Sequence, residues 1–126
     1  MGQSRETVRA ICRALPGTEV SDPWGGGHDA WKVGGKLFAV IGTMDTCVAV
    51  KCADIDSAEL LIDLGRAERA PYFHRSWVHL PWDRVDDAEL RDRIVGSYQV
   101  IRDKLPKKVQ AALAPAPTRP SPPATR

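Results

Sequence analysis

The residues best suited to metal or nucleophilic chemistry are few: His28, His74, His79, Cys12, Cys47 and Cys52. A zinc site needs ligands at tight, matched spacings, commonly two pairs. His74 and His79 straddle the expected start of a strand, with no Cys or acidic partner at such a spacing. Each reads as a surface histidine or as one serving a local hydrogen bond. Cys47 and Cys52 lie on one predicted strand, and an odd separation puts them on opposite sheet faces. There they can neither bridge nor share a metal. A cysteine nucleophile also needs a base and an orienting third group, and no local motif supplies them. Both cysteines read instead as small apolar residues of a buried strand. Among the acids, Asp54, Asp56 and Glu59 read as helix-start chemistry, where negative charge meets the positive helix end. Asp22 and Asp29 flank Gly25-Gly26-Gly27 and are expected to hold turns. That triplet lacks the following Lys-Ser/Thr of a phosphate loop and precedes a strand rather than a helix. The expectation is no catalytic constellation, no metal and no cofactor.

What remains is a surface signal. Trp31 and Phe38 fall on one face of a predicted hairpin, and Trp77 and His79 could extend that face. If helices cover only the opposite face, these aromatics line a partly open surface. Interleaved with Lys32, Lys36, Lys51, Arg69, Arg75 and Arg84, they could stack on bases and hold phosphates. Alternatively, Trp31, Phe38, Trp77 and His79 could line a pocket for a small planar ligand. A third outcome is that they are core residues under a loop, since tryptophan is highly buried on average.

The elements that must position these groups centre on Asp29–Gly42. Two apolar runs flank Gly34-Gly35, and two glycines tolerate the positive φ that a type I′ hairpin turn requires. A two-residue loop there sets Val33 opposite Lys36, Lys32 opposite Leu37 and Trp31 opposite Phe38. One face then carries Trp31, Val33, Phe38 and Val40; the other carries Ala30, Leu37, Ala39 and Ile41. Upstream, Ser4 is a good N-cap for a helix to about Ala14, with Val8, Ile11, Cys12 and Leu15 as its buried stripe. Arg5, Arg9 and Arg13 form a second stripe at i+4 spacing. A first strand is expected over Glu19–Ser21.

Downstream, Thr46–Cys52 reads as a further meander strand. Asp56 with Glu59 suggests a capping box for a helix over Ser57–Leu64, whose apolar side is Leu60, Leu61 and Leu64, with Gly65 as its stop. Short strands are expected near Tyr72–His74 and over Trp77–Leu80, the latter with Val78 and Leu80 inward. Asp86 and Glu89 open a last helix to about Lys104, with Leu90, Ile94, Tyr98, Ile101 and Leu105 facing the core. The order is α-β-β-β-β-α-β-β-α. This is an α+β domain, an antiparallel sheet with helices on one face, over residues 1–113. Residues 114–126 form a proline-rich tail that cannot bury a core and is expected to be disordered.

Composition narrows the classes. The chain has 126 residues, 43% of them hydrophobic, with four tryptophans, which suits one globular domain. No run approaches the ~18 apolar residues of a membrane span, and the N-terminus lacks a signal-peptide core. With three unpatterned cysteines, a cytoplasmic protein without membrane contact is expected; a monomer is favoured. Of the 18 Lys and Arg, Arg119 and Arg126 lie in the tail, and the other 16 balance the 16 Asp and Glu. The strongly basic domain that usually accompanies nucleic-acid binding is lacking.

Several stretches in order resemble the MmcQ/YjbR family. They are Leu15-Pro-Gly-Thr-Glu19, Trp31-Lys-Val-Gly-Gly-Lys-Leu-Phe-Ala39, Val50-Lys-Cys52, Ala70-Pro-Tyr72, Trp77-Val78, Ser97-Tyr98 and Leu105-Pro-Lys-Lys108. The match runs from the first helix to about Lys108. It implies a CyaY/YjbR-like fold, similar to frataxin, and the family's DNA-binding label, which rests on a double-wing arrangement of strands and loops. Matching positions are Lys32, Gly34, Gly35, Lys36, Phe38, Lys51, Pro71, Tyr72 and Trp77. Many relatives carry a His-x-Asn-Lys-Lys-His-Trp type segment before the last strand. Here Tyr72-Phe-His-Arg-Ser-Trp77 is shorter and less basic, which weakens the phosphate-holding patch. Iron binding in frataxins uses an acidic ridge on the first helix, whereas here Glu6 stands against Arg5, Arg9 and Arg13; a shared fold does not carry that function over. The resemblance thus implies DNA as partner and no catalysis. The alternative is a module binding a small molecule or protein through an aromatic sheet face.

Overall fold

The computed structural model describes residues 5–115. The hairpin that organises the chain joins β2 (Asp29–Val33) to β3 (Lys36–Ile41). Gly34 and Gly35 have φ of 58° and 82°, the left-handed pair expected for this turn. Val33 pairs with Lys36 and Lys32 with Leu37 as expected, but then the register slips. Trp31 lies opposite Ala39, not Phe38, so Phe38 is the extra residue of a β-bulge. The slip re-sorts the side chains. Trp31, Val33, Phe38, Ala39 and Ile41 all join the main core, whereas Leu37 and Val40 belong to a smaller cluster on the other face.

Around the hairpin lie α1 (Arg5–Arg13), β1 (Thr18–Ser21), β4 (Cys47–Lys51), α2 (Ile55–Asp63), β5 (Glu68–Arg69), β6 (Trp77–Pro81), α3 (Asp87–Asp103) and α4 (Lys107–Ala112). The strands form one six-stranded antiparallel sheet in the order β1-β2-β3-β4-β6-β5. The main core contains Val8 and Cys12 of α1, Ala58 and Leu61 of α2, and Leu90, Ile94, Tyr98 and Ile101 of α3. These pack on Val48, Val50, Val78 and Leu80, so the helices share one sheet face. The second cluster, Val40, Ala49, Ala70 and Trp77 with Leu37 and Phe73, contains no helical residue. The other sheet face is therefore covered only by loops, and only in part.

Other sequence expectations shift for local reasons. Asp54, not Asp56, caps α2, its carboxylate accepting from the Ser57 amide at 2.7 Å. That earlier start turns Ala58 and Leu61 inward and leaves Leu60 and Leu64 exposed. Gly65 (φ 75°) ends the helix, with its amide on Ile62 O and the Arg66 amide on Leu61 O, a Schellman motif. Strand β5 lies at Glu68–Arg69 rather than at Tyr72–His74. That later stretch turns instead, through bonds from Phe73 N to Ala70 O and from Trp77 N to His74 O. Asp86 caps α3 as expected, accepting from Glu89 N at 2.8 Å. Helix α4 is additional. The Ser4 cap and most of the proline-rich tail lie outside the described residues.

Candidate functional site

The loop-covered face of the sheet holds a cleft of about 1050 Å³, at the upper end of the ~300–1,000 Å³ of small-ligand sites. Its floor is Val40 of β3, Cys47 of β4, and His79 and Pro81 of β6. Cys47 pairs with Pro81 and His79 with Glu68, which puts these side chains on one side.

One wall comes from the glycine triplet. Gly25, Gly26 and Gly27 have φ of 71°, 85° and 99°, a path that L side chains rarely follow. Asp22 holds the turn, its carboxylate accepting from the Gly27 and His28 amides at 2.9 and 3.1 Å. Those bonds hold the Asp22 carboxyl below its usual range. The Gly27 and His28 amides, which could otherwise face a phosphate, are thus already occupied. The turn delivers Trp24 and His28, packed edge to face at 5.1 Å, to the cleft. A second wall is the Thr43–Thr46 turn, where Asp45 has φ 57°. Trp82 fastens it, donating from Nε1 to Asp45 O at 2.7 Å and from its amide to Thr46 O at 3.0 Å. Tyr72 and Phe73 form the third wall, with Phe73 stacked on Trp77 at 4.7 Å. Trp24 is 57% exposed, Met44 81% and Tyr72 94%. Three large apolar side chains are thus left open around one concavity.

The floor carries no charge at neutral pH. Burial pushes the His79 pKa down, against a smaller upward pull from Glu68, and burial pushes the Cys47 thiol up. Charges sit on the rim. Asp45, Glu68, Asp83 and Arg84 line it there, and Arg84 is engaged by Glu68 at 2.7 Å.

The sequence-predicted residues do not come together. Trp31 and Phe38 are buried at 2% and 0% exposure beneath the helices, so they line no open surface. The bulge and α3 put them there. Trp77 and His79 do face the loop-covered side, but Trp77 is shut off by Phe73. His79 alone of the four proposed pocket residues lines the cleft. Of the cations, Lys32 shares the loop-covered side, opposite Leu37, and Lys36 is exposed at the hairpin turn. Arg69 pairs with Val78 and so lies towards the helical side. Arg75 is bound to Glu59 at 2.5 Å and Arg84 to Glu68.

Lys51 is committed to a cluster that the sequence did not suggest. Its Nζ donates to Ser76 Oγ, which lies 2.8 Å from His74 Nδ1. The Ser76 amide also donates to His74 Nδ1 at 3.1 Å, which makes that nitrogen an acceptor. Burial and Lys104 push the Lys51 amine down. Ser76 is 2% exposed, so its hydroxyl is not offered to a substrate. The cluster pins the 70–76 loop over Trp77. Among the described residues no three His, Cys, Asp or Glu side chains are grouped to hold a metal ion.

Asp29 is a further residue that sequence reasoning undervalued. It is 5% exposed and receives Arg9 Nε at 2.8 Å and Arg5 Nη1 at 2.9 Å. The i+4 arginine stripe of α1 was the available signal.

A six-stranded antiparallel sheet with helices on one face and a loop-walled cleft on the other defines a small α+β protein with a sheet-face pocket. The chain belongs to the YjbR family, whose model matches residues 13–100. It is similar to YbdF of Escherichia coli O157:H7, described as uncharacterized, at 26% identity over 114 residues, spanning 87% of this chain and 93% of that protein. The crystal structure of Deinococcus radiodurans DR2400, a DUF419 domain, shares the fold at a TM-score of 0.78 and 20% identity, with 86% of each chain covered. No helix among the described residues is long and apolar enough to cross a membrane.

Proposed function

We propose that this YjbR-family chain is a binding protein rather than a catalyst, and that it holds a small, largely apolar organic molecule in the sheet-face cleft. The observation that carries this reading is the exposure of Trp24, Met44 and Tyr72 around an uncharged floor of Val40, Cys47 and His79. Burial keeps Cys47 protonated and His79 neutral, which suits packing better than nucleophilic attack.

DNA binding is the second reading, and Lys32 and Lys36 favour it, since neither is paired among the described residues. Two phosphate contacts would give a log–log salt slope of about −2, against about −5 if all six candidate cations were engaged. Arg75, Arg84 and Lys51 are already partnered, so the geometry supports the cleft first.

The test is titration with the neutral dye N-phenyl-1-naphthylamine beside a duplex oligonucleotide at 50 and 200 mM salt. Saturable, salt-insensitive dye binding that weakens about fivefold in Trp24→Ala is expected, on the scale of one lost aromatic contact. Absence of dye binding together with steeply salt-dependent DNA binding would overturn the cleft reading.

A further inference from the structure

The charge around the cleft selects among apolar ligands, and this step rests on the cleft being the binding site. We propose that the ligand is an organic cation, a quaternary or protonated amine on an alkyl or aryl body.

Three features of the cleft combine. Its walls present four aromatic rings, Trp24, Tyr72, Phe73 and Trp82, and ring faces attract cations electrostatically. Its rim carries three carboxylates, Asp45, Glu68 and Asp83, against Arg84 alone. Arg84 is neutralised by Glu68 at 2.7 Å. Asp45 is approached from outside the cleft by Arg5 at 3.4 Å. Asp83 is exposed and has no ion-pair partner among the described residues, so its charge stays free to meet a ligand. The features that would favour an anion are already used. Asp22 takes the Gly27 and His28 amides with its carboxylate and the Gly25 amide with its carbonyl, and Arg84 is paired. A neutral ligand would fill the rings but gain no attraction from the rim carboxylates. A cation satisfies both.

Choline and its neutral isostere 3,3-dimethyl-1-butanol have nearly the same shape and differ in charge. Titrated against the full chain by tryptophan emission, choline is expected to bind about tenfold more tightly than the isostere. In Asp83→Asn the choline affinity falls about threefold, while N-phenyl-1-naphthylamine binding is unchanged. In Tyr72→Ala, at a side chain so exposed that the fold is indifferent to it, choline binding weakens about fivefold. Equal or tighter binding of the isostere, or an Asp83→Asn protein with full choline affinity, overturns the cation assignment. If the dye still binds in that case, the cleft reading survives. If neither choline, isostere nor dye binds, both fail together.

Discussion

Asp29 shows how much one side chain can tie together. It opens β2, yet its partners Arg5 and Arg9 lie one turn apart on α1, and Arg5 also donates to Gly42 O at 3.2 Å. One carboxylate thus fixes the helix to the hairpin. Burial pushes its pKa up, but the hydrogen bond and charge of Arg9, with those of Arg5, outweigh this and hold the carboxyl below its ordinary range. The same bond raises the Arg9 guanidinium further. Asp29→Asn keeps the shape but removes the charge that both arginines face. A loss of about 1.5–3 kcal/mol is expected, read as a lower urea midpoint at unchanged slope. The pH dependence follows from the sign of the shift. A depressed folded pKa means that the contribution is complete above the unfolded value of about 4 and is withdrawn as the pH falls through the lower folded value. Wild-type protein should therefore lose stability below about pH 4 more steeply than Asp29→Asn, and parallel acid titrations would refute this. The arginine stripe was visible in the sequence; its partner was not, because the contact spans twenty or more residues and exists only once β2 lies under α1.

Among the elements, the bulge in β3 explains the largest departure from the sequence pattern. Turn chemistry is local, so Gly34-Gly35 and its first two cross-strand pairs were legible. The slip beyond them depends on α3. Ser97 of that helix donates to Phe38 O at 2.6 Å and accepts from Lys51 N at 2.9 Å. Its hydroxyl stands where the β3–β4 ladder would continue past Ala39 and Val50, so helix and sheet are joined by one side chain that is 1% exposed. Ser97→Ala leaves a buried carbonyl and a part-buried amide without that partner. Each such orphan costs about 1–3 kcal/mol, so a total near 3 kcal/mol is expected. Amide exchange should quicken at Lys51 more than at Ala49, which stays within the ladder; uniform exchange would argue against the bridging role. No sequence pattern marks a lone serine on an apolar helix face as a strand splice. The caps of α2 and α3 were equally a matter of context. The capping-box pair Asp86 and Glu89 marked the true start of α3, whereas the same pattern at Asp56 and Glu59 pointed two residues past the true cap of α2. That cap is Asp54, three residues after β4 ends at Lys51.

At the scale of the whole molecule, the sequence told that helices cover one sheet face, but not which aromatics would be left on the other. Period-two alternation sorts side chains correctly only while register holds. One bulge moved Trp31 and Phe38 from the expected open face into the core, and the cleft was built instead from Trp24, Tyr72 and Trp82, which lie in loops where no periodicity operates. His79 was placed correctly because β6 is regular. The C-terminus is legible in the same partial way. The break at Pro106 was visible; the return of α4 onto the fold was not. Leu113 lies so close over Gly17 that even a Cβ there would clash with its Cδ2. Gln110 Nε2 donates to Leu105 O at 2.7 Å, which ties α4 back to the end of α3. Val109 and Leu113 are both half-buried against the main core. Removing residues 116–126, which include no large apolar side chain, should leave the unfolding free energy within about 0.5 kcal/mol. Removing residues 106–126 strips two partly buried apolar side chains, Val109 and Leu113, from the core and uncovers Gly17, for a loss of about 2–3 kcal/mol. The cleft lies on the other sheet face, so choline and dye affinity should survive the longer deletion wherever the protein remains folded. Equal stability of the two truncations would show that α4 only rests on the surface, and loss of cleft binding in the folded longer deletion would show that the two faces are coupled through the sheet.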